Sequence, residues 1–136
     1  MFFGEIGEQF YSAFFQRILR EQYHQNQMPQ FQLSSITPKE IAKGYTARFI
    51  HTEHMTFSYL DVKAGSTIAE HSHPNEQVCH IFEGTFQLTV NGEEIIFKPG
   101  TVITIPPNVK HAGLAITDCK LMDVFYPVRD DYKKLI

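Results

Sequence analysis

Cysteine is scarce in this chain of 136 residues, with Cys79 and Cys119 the only two. That number excludes a disulfide framework, and both sit in apolar stretches where a free thiol behaves as a small core residue, which fits a reducing, cytoplasmic setting. Positive charge is not in excess: twelve Lys and Arg stand against fifteen Asp and Glu, for a formal charge of −3. No basic run could neutralise several phosphates, so nucleic acid is excluded as an expected partner. Long apolar runs are missing as well. The first fifteen residues, MFFGEIGEQFYSAFF, are interrupted by Glu5 and Glu8 and lack a basic leader, so neither a membrane span nor a signal peptide is expected. No internal repeat or low-complexity segment stands out. What remains is ordinary globular composition, 43% hydrophobic and 20% charged, at a length suited to one domain of about 150 residues.

Two textures divide the chain. From Glu5 to about Tyr23, Ile6, Phe10, Ala13, Phe14, Ile18 and Leu19 recur at three- and four-residue steps between polar positions, which predicts an amphipathic helix. Its aromatic face must be buried, either on its own domain or on a second subunit, and a homodimer is the expected assembly. A polar linker, His24 to Gln30, closes this N-terminal part, 1–30, and a second part, 31–136, is expected to form the main domain.

In that second part, short runs rich in Phe, Tyr, Ile, Val and Thr alternate with Gly, Pro and Asn turns. The runs are Tyr45–His51, Met55–Val62, Gln77–Phe82, Thr85–Val90, Glu93–Phe97, Val102–Ile105 and Leu121–Tyr126. Asn91-Gly92, between two such runs, is the signature of a two-residue hairpin turn, which requires positive φ at both positions. The pattern predicts an all-β sandwich or jelly-roll barrel of about eight strands.

One constellation carries chemistry. His71 and His73, at i and i+2 on an extended segment, project to one face, Gln77 opens the next strand, and His111 follows the turn Pro106-Pro107-Asn108 far downstream. A barrel can bring all four to one cavity. Three imidazoles and one oxygen donor suit a single divalent transition metal, Zn, Ni, Mn, Fe or Co, with positions left open for substrate or water. Glu76 competes with Gln77 for the oxygen position, since a one-residue shift of strand register exchanges the two. His24, His51, His54 and His80 read as ordinary solvated side chains.

The spacing Gly65-x5-His71-x-His73-x3-Gln77-x6-Gly84 resembles the first cupin motif, with glutamine where glutamate is usual. The spacing Gly100-x5-Pro106-x-Asn108-x2-His111 resembles the second, departing at Asn108, where glycine is usual, and at Ala115, where asparagine is usual. The resemblance covers about Phe31 to Tyr132 and implies a double-stranded β-helix, the cupin jelly-roll barrel, to which the N-terminal helix is an addition. Its glycine count favours Gln77 over Glu76. A neutral glutamine leaves a divalent ion its full charge, which favours anionic oxygen ligands and Lewis-acid work on a carboxylate-bearing substrate.

In Leu121-Met122-Asp123-Val124-Phe125-Tyr126, alternation puts Asp123 on one face with Leu121 and Phe125. An aspartate there is either a structural carboxylate or a general acid/base. With HSHPNEQV and IPPNVKHA, this segment resembles the cupins that linearise 4,5-unsaturated monouronates from pectin or alginate breakdown. That resemblance implies Asp123 and Arg129 as catalytic residues, Phe125 and Arg129 as substrate contacts, and a small anionic sugar-like substrate. Asn75, where histidine is common, departs from it. A cupin dioxygenase and a non-catalytic sugar-acid binding module are the alternatives.

Overall fold

The structure, a computed structural model, describes residues 28–135. The helix expected over Glu5–Tyr23, and His24 with it, lie outside the described residues. Ten strands form two antiparallel sheets: β1 (Lys39–Ala42), β2 (Tyr45–His51), β3 (Thr56–Val62), β4 (Thr67–His71), β5 (Glu76–Glu83), β6 (Phe86–Val90), β7 (Glu93–Phe97), β8 (Val102–Ile105), β9 (His111–Ala115) and β10 (Cys119–Tyr126). One sheet runs β1-β2-β3-β10-β5-β8 and the other β4-β9-β6-β7. This is the expected jelly-roll barrel, with ten strands rather than about eight. The additional ones, β1, β4 and β9, are short, and Ala, Gly, Glu, Lys or His dilute the β-branched and aromatic residues that mark the others. A single helical turn, Asp130–Lys133, follows β10. No helix among the described residues is long and apolar enough to cross a membrane.

Local signals explain most of the architecture. Asn91 and Gly92 take φ of 49° and 82°, and Val90 pairs with Glu93 across the expected two-residue turn. At Gly113 on β9 a Cβ would come within 2.6 Å of the Phe86 ring, so the close approach of β9 and β6 depends on glycine there.

The period-two alternation of the larger sheet stacks inward side chains in three rows. The floor row, Leu60, Leu121 and Ile81, is apolar and joins a core with Tyr45, Phe86, Leu88 and Phe97. The next row is Ser58, Asp123 and Cys79, and the third, toward the barrel mouth, is Thr56, Phe125 and Gln77. Burying a large apolar side chain contributes about 1.5–3 kcal/mol. The middle row forgoes that gain at Ser58 and Asp123, so stability does not account for its composition.

Candidate functional site

Register builds the histidine cluster. In the β4–β9 pair His71 lies directly opposite His111, while His73 sits two residues beyond the end of β4, on the connection to β5 and not on the strand itself. The three side chains each bring a ring nitrogen to within 4.8 Å of the others. Every Nδ1 is tied to a backbone carbonyl two residues away: His71 to Ala69 at 2.9 Å, His73 to Asn75 at 3.0 Å and His111 to Val109 at 2.9 Å. A carbonyl only accepts, so each Nδ1 carries the proton and donates it, leaving Nε2 with its lone pair.

The two histidine-bearing segments are held to each other, and the first of them to the chain just beyond β10. Asn108 N–H donates to the His73 carbonyl at 2.8 Å, from a left-handed conformation at φ 64°. That explains the departure from glycine, since asparagine is one of the few other residues that adopts this conformation readily. Asn75 is buried, and its amide donates to the Pro127 carbonyl.

Gln77 is 6% exposed, whereas Glu76 is exposed, so the glutamine is the one that faces inward. Its Oε1 stands 3.0 Å from His73 Nε2. With the imidazole proton on Nδ1, both facing atoms are acceptors, an arrangement that a shared cation would satisfy. His111 Nε2 is likewise buried without a partner. Burial pushes His73 down to about 4, with Arg129 adding to the effect, and burial also lowers His111. Both are neutral at pH 7, the state that coordinates. Three imidazole nitrogens and an amide oxygen thus fit a divalent transition ion. Zinc titrated into metal-free protein at pH 7 is expected to release fewer than about 0.5 protons from His73 and His111 together. Calorimetry in buffers of different ionisation enthalpy measures this, and release of a full proton or more from this pair would contradict the assignment.

The cluster opens on a cavity of about 50 Å³ lined by His71, Gln77, His111, Asp123, Phe125 and Arg129 among others. Ile41, Ile68, His71, Arg129 and Tyr132 also line an outer groove along β1 and β4. Asp123 is enclosed by protein and meets only the cavity. Burial raises its carboxyl to about 6, against hydrogen bonds from Cys79 and Gln77 and the charge of Arg129, which all favour the ionised form.

Arg129 is buried and held on several sides. Its N–H donates to Thr56 Oγ1 at 2.9 Å, and its guanidinium stacks 4.0 Å from the Tyr132 ring centre and 4.8 Å from that of Phe125. Nε and Nη2 donate to the two Asp131 carboxylate oxygens at 2.9 and 2.7 Å. The planar fork expected to clamp a substrate carboxylate is therefore engaged by Asp131, and Nη1, buried and unpartnered, is the nitrogen left over. Asp131, Tyr132 and Ser58 are site residues that sequence reasoning did not find, whereas Asn75 stood out there as a departure from the motif. Only Asp131 carried a signal, an acidic residue two positions after a candidate arginine.

The other described histidines stay outside the cluster. His51 pairs with Thr56 Oγ1 at 2.8 Å, His54 is exposed, and His80 stacks on Phe82.

Residues 58–125, half of the chain, match the cupin domain family. A comparison with curated proteins gives no match. Among solved structures, KdgF from Halomonas sp. is similar at 22% identity and a TM-score of 0.73, over 78% of this chain and 99% of that one. An RmlC-like cupin from Shewanella frigidimarina NCIMB 400 is similar at 24% identity and a TM-score of 0.72, over 78% and 97% of the two chains. The salicylate 1,2-dioxygenase of Pseudoaminobacter salicylatoxidans is similar at 20% identity and a TM-score of 0.62, over 66% of this chain and 27% of that one. Such likenesses show a shared fold across proteins of differing activity. The family match over both ligand-bearing motifs, on a barrel of this topology, places the chain in the cupin family.

Proposed function

We propose that this cupin is a metal-dependent isomerase that opens and ketonises a 4,5-unsaturated monouronate or a closely related small sugar acid. The observation that carries the reading is one cavity lined by Asp123, by Arg129 with its unpartnered Nη1, and by His71 and His111, which converge with His73. His71, His73, Gln77 and His111 would hold the ion, one divalent Zn, Ni, Mn, Fe or Co. Bound there, it would supply Lewis-acid stabilisation of negative charge on oxygen.

Such a substrate is a cyclic hemiacetal whose ring oxygen is attached to an alkene carbon. Arg129 Nη1 binds the substrate carboxylate and orients the ring, with Phe125 as an apolar wall. Asp123 takes the proton of the anomeric hydroxyl as the ring C–O bond breaks, giving an aldehyde and an enolate. The same carboxyl then delivers that proton to the former alkene carbon, giving a ketone. Atoms and charge balance without an oxidant. An inner volume of about 50 Å³ takes only three or four water-sized groups. The reacting end therefore occupies the cavity, and the rest of the sugar lies in the groove along β1 and β4.

Metal-loaded protein mixed anaerobically with 4,5-unsaturated galacturonate is expected to abolish the absorbance of the conjugated alkene. Binding without loss of absorbance would instead make the protein a sugar-acid binding module. A requirement for dioxygen would make it an oxygenase.

A further inference from the structure

Among the described residues five buried side-chain polar atoms have no hydrogen-bond partner, and three of them, His111 Nε2, Arg129 Nη1 and Ser58 Oγ, belong to residues that line the one cavity. The first faces the ion position and the second is free for a carboxylate. Ser58 has no part in either interaction. It is 1% exposed, and it stands directly opposite Asp123 in the β3–β10 register, with Cys79 on the far side of Asp123. This row lies two residues deeper than the row of Gln77, about 7 Å along the strands. Neighbouring inward residues on the same strand, Leu60 and Val62, are apolar and packed in the core. A buried hydroxyl without a partner leaves its desolvation uncompensated, and alanine would avoid that cost at the same position.

We infer that Ser58 contacts a hydroxyl of the ligand and makes the site selective for hydroxy acids over their deoxy counterparts. The inference rests on the proposed function only in requiring that the cavity take a small carboxylate. The carboxylate end is held near the mouth by Arg129. A hydroxyl carried several ångströms inward then reaches the gap between Ser58 and Asp123. There it accepts from the Ser58 hydroxyl and donates to the Asp123 carboxylate, and Ser58 gains the partner that the fold does not give it.

Calorimetric binding of 3-hydroxypropionate and of propionate to the zinc-loaded protein tests this. The wild type is expected to favour the hydroxy acid by about tenfold, the size of one buried hydrogen bond. Ser58→Ala should bring the two acids to within about twofold, and Ser58→Thr should restore the preference. In parallel, Ser58→Ala should leave the melting temperature of the metal-free protein unchanged or raised, because the fold loses no bond. Retained preference in Ser58→Ala, equal binding of the two acids by wild type, or a fall in melting temperature of more than about 5 °C would each overturn the assignment of Ser58. If neither acid binds the zinc-loaded wild type, the carboxylate-binding reading fails as well, and that outcome is distinct from equal binding.

Discussion

Asp123→Asn is expected to lower turnover of a 4,5-unsaturated monouronate by about 10²–10⁴-fold while leaving the metal content of the protein unchanged. Asparagine keeps the shape of the side chain and loses only the capacity to carry a proton between substrate atoms. Because Asp123 is not itself among the proposed ligands, the ion should remain. The same substitution carries a second, opposite signature in stability. The carboxyl titrates at about 6 in the fold, against about 3.9 in an unfolded chain. A raised value means that the native state favours the protonated form. The associated stability is fully present below pH 4 and is lost as pH rises through 6. Metal-free wild type at pH 8 therefore carries a penalty on the order of 3 kcal/mol that the neutral asparagine avoids. Thermal melts in chelator should show Asp123→Asn above wild type at pH 8, with the advantage gone below about pH 4. Wild-type turnover in the variant would remove Asp123 from the chemistry. Equal melts at pH 8 would mean that burial does not perturb the carboxyl.

Removal of the third imidazole should have the other large effect. His111→Ala is expected to weaken divalent metal binding by more than about 100-fold, beyond what loss of a supporting hydrogen bond does to metal sites. His111 Nε2 is buried and has no partner within the protein, so the substitution removes a lone pair that nothing else in the fold replaces. His80→Ala is the control, since His80 stacks on Phe82 away from the cluster and should keep full metal content. Metal analysis after dialysis against a weak chelator reads both variants. Full occupancy in His111→Ala would show that the histidine cluster is not the metal centre.

The strands that announce themselves in sequence are those whose composition matches their setting. Seven runs rich in branched and aromatic residues became strands within a residue or two of their expected ends, and Asn91-Gly92 turned where its backbone preference dictates. β1 and β9 were not legible, and β4 only as an extended segment around His71, because KEIA, TIAEH and HAGLA lack apolar alternation and dilute their few β-branched residues with Ala, Gly, Glu, Lys and His. Two of these carry histidines of the cluster, a residue type that does not mark a strand. Alternation correctly set Asp123 inward between Leu121 and Phe125, with all three lining the cavity. The engagement of Arg129 by Asp131 was not legible, because it requires the turn Asp130–Lys133 to fold the carboxylate back onto the guanidinium. Ser58 left no trace at all. In TFSYLDV the aromatic residues Phe57 and Tyr59 suggest an inward face, yet the buried face is the one bearing Thr56, Ser58 and Leu60.

The backbone bonds that orient the three imidazoles come from a carbonyl two residues before His71 and His111 and two residues after His73, and the link from Asn108 to His73 joins the two halves of the cluster. Geometry is thus imposed by the polypeptide before any ion arrives. A centre assembled in this way can be stripped and reloaded without refolding, and one divalent ion can be exchanged for another with little rearrangement. Which ion would occupy such a centre in a cell would then follow from local supply more than from raw affinity.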